Sequence, residues 1–167
     1  VDEGLRDDDP TASIDRPKTP APLPKSLTED EVGKLFAIVA EADDTAGIRL
    51  AAMLEILYAT GMRISEMVAL PVASVSRGQT SITIRGKGGK ERLVALGAPA
   101  RGAIASWMEV RDRAAAHVIS SYLFPHGDTH VTRQQFAAAL KRLAPAAGID
   151  PRRVSPHVVR HSFATHM

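Results

Sequence analysis

The sequence predicts a mainly α-helical fold with one small antiparallel β-hairpin, and three features of the chain point to it. Apolar residues recur at helical spacing through most segments beyond residue 27. The period drops from about 3.6 residues to about two only once, on either side of a glycine-rich turn. Hydroxyl side chains stand where helices would start, and glycine or proline where they would stop.

The first helix opens at Leu27-Thr28-Glu29-Asp30-Glu31. Thr28 is placed to cap it, Glu31 completes a capping box, and the acids suit the positive end of the helix dipole. Val32, Leu35, Phe36 and Val39 then share one face. Residues 46–59 are apolar on nearly every face, which predicts a central buried helix, and Gly61 is placed to end it. A short helical segment runs from Ile64 to Leu70 and stops at Pro71. Thr80-Ser81-Ile82-Thr83-Ile84-Arg85 then alternates, as does Glu91-Arg92-Leu93-Val94-Ala95-Leu96. The turn between them, Gly86-Lys87-Gly88-Gly89-Lys90, makes the pair a β-hairpin with a basic tip. Helical spacing resumes beyond Pro99, over residues 100–116 and then 132–144, with Thr132 as cap. A last helix starts at Ser155-Pro156, a capping hydroxyl before a proline in the first turn.

The stretch ahead of these elements reads differently. Asp7-Asp8-Asp9-Pro10 is a run of like charge, and Pro17, Pro20, Pro22 and Pro24 hold the chain extended. Residues 1–25 are therefore expected to be an acidic, proline-rich interdomain linker, and residues 26–167 one folded domain. No internal repeat is present.

Composition narrows the function classes. The 167 residues are 44% hydrophobic and 24% charged, enough apolar matter for one core without cross-links. There is no cysteine, which excludes disulfide scaffolds, cysteine-ligated metal and thiol nucleophiles, and fits a reducing compartment. No apolar run reaches the roughly 20 residues of a membrane span, so the simplest expected location is the cytoplasm. The net charge of +2 hides an asymmetry: residues 1–24 carry −3, residues 25–76 carry −4, and residues 77–167 carry +9. A basic C-terminal half suits a polyanion such as duplex DNA, although a solvated basic face has the same composition. Aromatics are only 4%, too few for the stacking platforms of a single-strand binder.

Three groups of residues could carry chemistry. On the last helix, His157 and Arg160 share a face and His161 lies one turn beyond His157. A histidine metal pair, satisfied structural histidines and an oxyanion site all fit that spacing. No acid follows His157, and no cysteine completes a ligand set. Arg63 directly follows the buried helix with Glu66 three residues on, either a surface ion pair or a guanidinium held for a purpose. Lys87 sits among Gly86, Gly88 and Gly89, either a charged turn or a mobile cation. No phosphate-binding loop of the GK[ST] type is present, which disfavours nucleotide hydrolysis.

Together these groups resemble one family. Thr60-Gly61-Met62-Arg63-Ile64-Ser65-Glu66-Met67, then Gly86-Lys87-Gly88-Gly89-Lys90-Glu91-Arg92-Leu93-Val94, then His157-Val158-Val159-Arg160-His161-Ser162-Phe163-Ala164-Thr165-His166 resemble the catalytic domain of the tyrosine recombinases, or phage integrases. The order of the motifs and the 24 positions from Arg63 to Lys87 agree with that pattern. Within the family the match is closest to the Xer type, and Leu23-Pro24-Lys25-Ser26-Leu27-Thr28 resembles the Xer interdomain linker, more the XerD form.

The resemblance implies site-specific breakage and rejoining of DNA through a 3′-phosphotyrosyl intermediate, in chromosome dimer resolution. Arg63 and Arg160 would clamp the scissile phosphate, Lys87 would protonate the 5′-oxygen, and His157 would share a proton with the phosphate. Glu66 would support Arg63, and Arg85, Lys90 and Arg92 would bind DNA. No metal or cofactor is implied. Implied partners of the whole protein are duplex DNA, a paired recombinase and a DNA translocase, with the chain itself a monomer. The family's nucleophilic tyrosine lies beyond the His-x-x-Arg motif, whereas the tyrosines here are Tyr58 and Tyr122, both expected to pack in the core. The chain is therefore expected to be truncated before the nucleophile segment, with no nucleophile and no cleavage activity of its own. A phage or transposon integrase shares the same residues, and a non-catalytic duplex-binding module derived from this fold is the alternative of a different class.

Overall fold

The computed structural model describes residues 26–75, 80–85, 89–114 and 119–166. Helix α1 (Glu29–Ala40) begins as its capping box dictates. The amide of Glu31 donates to Thr28 Oγ1 at 3.1 Å, and the amide of Thr28 donates back to Glu31 Oε2 at 2.9 Å. Helix α2 (Thr45–Thr60) is capped by Asp44 and packs against α1, against α4 (Ala98–Arg113) and against α6 (Pro156–His166). Ala52, Met53, Leu54, Ile56 and Leu57 are buried, so the segment apolar on all faces is the hub of the core. Gly61 closes it with φ 56°, a left-handed conformation that suits only glycine without strain.

Helix α3 (Ile64–Val68) follows at once, and a 3-10 turn (Val72–Ser74) leads towards the hairpin. Strands β1 (Ser81–Arg85) and β2 (Glu91–Ala95) pair antiparallel, with Thr83 opposite Leu93. Alternation decides the faces: Ile82 and Ile84 are buried, whereas Leu93 is 72% exposed. Helix α4 starts before residue 100, the position sequence spacing suggests, because Gly97 caps it and Pro99 sits in the first turn. There a missing N–H leaves no bond unmade. The helix ends at Arg113, and residues 115–118 lie outside the described residues.

Trp107 of α4 is fully buried, stacks on Phe124 and donates from Nε1 to the carbonyl of Leu123 at 2.8 Å. Arg111 is buried beside it and donates from Nη2 to the carbonyls of Ser120 and Tyr122 at 2.6 and 3.1 Å. A turn follows in which β3 (Pro125–His126) pairs with β4 (Thr129–His130). Two-residue strands are too short for any period to reveal. Helix α5 (Arg133–Leu143) carries the expected Thr132 cap, boxed by Gln135. A second 3-10 turn (Pro151–Arg153) then delivers α6, whose first turn is capped by Ser155 accepting from the Val158 amide at 3.2 Å.

Two long-range contacts hold α6 to the start of the fold. The buried amide of Leu27 donates to Ser162 Oγ at 2.9 Å, and Ser162 donates on to the carbonyl of Val158 at 3.0 Å. Arg153, just ahead of α6, grips both carboxylate oxygens of Glu31, with Nη2 to Oε2 at 2.9 Å. That pairing holds the Glu31 carboxyl below its usual range and raises the arginine. Among the described residues no helix is long and apolar enough to cross a membrane.

Candidate functional site

A cleft of about 550 Å³ opens where the α2–α3 turn, the start of α5 and the start of α6 meet. Arg63 lines it from the turn, Ser65 from α3, Arg133 and Gln134 from α5, and His157 and Arg160 from α6. Three of the residues expected to act together, Arg63, His157 and Arg160, are thus brought to one place from positions almost a hundred residues apart.

The approach of the two elements depends on Gly61. A Cβ at that position would lie 2.5 Å from Cδ1 of Phe163, so the turn and α6 pack too closely for any side chain there. Next in sequence, Met62 is fully buried and anchors the turn, which sends Arg63 outward. Glu66 then works twice. One carboxylate oxygen accepts from the Arg63 amide at 2.8 Å, capping α3, and the other lies 3.1 Å from Arg63 Nη1. The Glu66 side chain is 11% exposed and that of Arg63 58%, so a sheltered acid orients an accessible guanidinium.

The same carboxylate reaches the hairpin, where Arg92 Nη2 stands 3.5 Å from Glu66 Oε2. Arg92 is therefore tied to the cleft wall rather than projecting freely from β2. Lys90 is exposed beside it. Arg85 ends β1 opposite Glu91, and its side chain lies outside the described residues, as does all of Lys87.

On α6, His157 is exposed in the first turn, and Arg160 is half-buried one turn on. Neither has a hydrogen-bond or ion-pair partner among the described residues. His161 is exposed and does not line the cleft. Three guanidiniums and an imidazole line the cleft, with no acid among the residues that line it, and such a set suits an oxyanion, which arginine grips with two parallel N–H donors.

Arg133 and Gln134 are the residues that motif reading passed over. A physical signal marks Arg133: helix N-termini favour acids, and a base immediately after the Thr132 cap runs against the dipole. Such a placement is tolerated readily when an anion sits nearby.

Neither tyrosine is in the cleft, and neither is fully in the core. Tyr58 is half-buried, edge-on to Phe36 and Phe163, with its hydroxyl 2.9 Å from His166 Nδ1; burial raises its pKa. Tyr122 is half-buried with its ring edge-on to His130 at 4.9 Å.

Residues 25–167 match the phage integrase family. The chain is 45% identical to tyrosine recombinase XerC of Erythrobacter litoralis over 170 residues, 100% of this chain and 54% of that protein. It is 43% identical to tyrosine recombinase XerD of Caulobacter vibrioides over 169 residues, 99% of this chain and 55% of that protein. The chain thus spans about half the length of these curated relatives. Among solved structures, XerA recombinase superposes with a TM-score of 0.74 at 28% identity, covering 89% of this chain and 50% of that one. XerH site-specific recombinase, bound to difH substrate in a pre-cleavage complex, gives 0.73 at 26% identity, covering 86% of this chain and 42% of that one.

Proposed function

The chain belongs to the phage integrase family, and from that premise we propose that it forms the catalytic domain of an Xer-type tyrosine recombinase. The reading takes residues 1–25 as an interdomain linker and residues 26–167 as catalytic-domain sequence. The substrate is duplex DNA, cut and rejoined at a specific site through a 3′-phosphotyrosyl link, with chromosome dimer resolution in the cytoplasm as the setting. A paired recombinase and a DNA translocase are the partners of the whole protein.

The observation that carries this reading is the meeting of Arg63, His157 and Arg160 in one cleft, where the half-buried Arg160 guanidinium has no acceptor among the described residues. Attack on a phosphodiester gathers negative charge on the non-bridging oxygens, and Arg63 and Arg160 supply the fixed donors for it. His157 shares a proton with the same phosphate. Lys87 delivers one to the departing 5′-oxygen. Glu66 keeps Arg63 aimed, while Arg92, Lys90 and Arg85 attract the backbone beside the cut. Neither Tyr58 nor Tyr122 is the nucleophile.

Fluorescence anisotropy on a labelled duplex tests the cleft. Binding should weaken steeply with salt, and Arg63→Ala and Arg160→Ala should each lower the slope of log K against log salt by about one. Unchanged slopes in both variants would remove the cleft from the DNA interface.

A further inference from the structure

Four arginines among the described residues are withdrawn from solvent: Arg49, Arg111, Arg153 and Arg160. A guanidinium that leaves water destabilises the fold unless acceptors replace its hydration. Arg111 has the carbonyls of Ser120 and Tyr122, and Arg153 has both oxygens of Glu31. Among the described residues the other two have far less. Arg160 faces the cleft already described. Arg49, in the first half of α2, makes one long hydrogen bond, 3.4 Å to the carbonyl of Pro125, and no ion pair among the described residues. Burial holds its pKa below the ordinary arginine range.

Arg49 lines a separate cavity of about 420 Å³ between the first half of α2 and α5. The floor is apolar, built from Leu50, Met53, Val131 and Phe136. Arg142, from the last turn of α5, and His126 also line it, the latter with Nε2 2.8 Å from Gln135 Nε2. None of the residues lining this cavity is acidic. Helix α5 separates it from the cleft, with Arg133, Gln134 and Ala137 on one side and Gln135, Ala138, Ala139 and Arg142 on the other. A backbone phosphate, flanked by sugars and further charges, gains little from an apolar floor. A carboxylate flanked by apolar side chains meets both halves of the cavity: fork donors for the charge, aliphatic and aromatic surface for its neighbours.

We propose that this cavity is a docking site for a peptide segment of a partner protein in which a carboxylate is flanked by apolar side chains. Arg49 takes the carboxylate, and Leu50, Met53 and Phe136 take the neighbours. Because α5 walls both spaces, a segment seated here bears on the helix that presents Arg133 and Gln134 to the cleft. The site stands apart from the DNA reading and does not rest on it.

The test is a titration of the whole 167-residue chain, followed by amide NMR. The probes are a capped leucine–glutamate–phenylalanine–leucine peptide, its glutamine analogue and a short duplex. The glutamate peptide should shift the amides of Gly47, Leu50, Phe136 and Ala139 saturably. Replacing its glutamate by glutamine, or Arg49→Met in the protein, should each weaken binding by about tenfold or more. If Arg49→Met does not fold, Arg142→Ser on the exposed face of α5 should still weaken the glutamate peptide by about threefold, as loss of one solvent-facing charge. Equal binding of the two peptides, absence of saturable shifts, or response of these amides to the duplex alone would each overturn the proposal. The duplex shifts at Arg133 and His157 report on the cleft separately.

Discussion

Ser162 shows how much one hydroxyl can hold. It is fully buried, accepts from the amide of Leu27 and donates to the carbonyl of Val158, so both its lone-pair and proton roles are filled. Ser162→Ala leaves the Leu27 N–H without an acceptor in the core, and a buried unmade bond costs about 1–3 kcal/mol. The urea midpoint should fall accordingly, with the slope of the transition unchanged. Glu31 allows a test of opposite kind. Its carboxyl is held below the usual range chiefly by the hydrogen bonds from Arg153, so it binds fewer protons folded than unfolded near the unfolded-state pKa. The stabilisation is therefore present above about pH 4.3 and is lost as pH falls through the lower folded value. Glu31→Gln keeps an acceptor for the capping box and removes only the charge. Wild type should exceed it in stability at neutral pH, and the gap should close on acidification; a constant gap from neutral to acid pH would show that the ion pair contributes nothing.

Among the elements, the α2–α3 turn matters most, because it fixes how near α6 comes to Arg63. Gly61→Ala places a side chain at φ 56°, which costs about 1–2 kcal/mol for an L-residue. It also sets a Cβ 2.5 Å from the Phe163 ring. The variant should lose stability and, by moving α6 outward, weaken duplex binding. Adding Phe163→Leu should recover part of the steric loss and none of the backbone strain. Full recovery would show that the left-handed conformation is not what selects glycine here. This turn was readable from sequence because a helix apolar all round, then glycine, is a strong stop signal. The capping box at Thr28, the cap at Thr132 and the alternation of β1 and β2 were readable for equally local reasons. What sequence could not reveal are contacts made by chain reversal over long distances: Arg153 with Glu31, Ser162 with Leu27, Arg92 with Glu66. Arg133 and Gln134 join the cleft for the same reason, since nothing near Thr132 records which helix stands opposite.

Over the whole molecule, the basic residues concentrate in residues 77–167, net +9, while residues 25–76 are net −4. The cleft draws on both, taking Arg63 from the acidic part beside its sheltered partner Glu66 and taking Arg133, His157 and Arg160 from the basic part. On the proposed reading, binding and cutting separate in this chain. Arg63, Arg133, His157 and Arg160 share one cleft, but Tyr58 points its hydroxyl at His166, with burial disfavouring the phenolate, and Tyr122 packs on His130. Neither ring lines the cleft, and in-line attack needs the nucleophile within about 3–3.5 Å of phosphorus. Incubated with a nicked duplex that traps covalent intermediates, the 167-residue chain should bind and leave no adduct that survives denaturation. A trapped adduct whose peptide map ends at Tyr58 or Tyr122 would reverse that assignment, and loss of the adduct in Tyr58→Phe or Tyr122→Phe would say which ring had moved. Absence of both adduct and binding would instead count against the cleft itself, because a phosphate site with three guanidiniums should hold DNA whether or not a nucleophile reaches it.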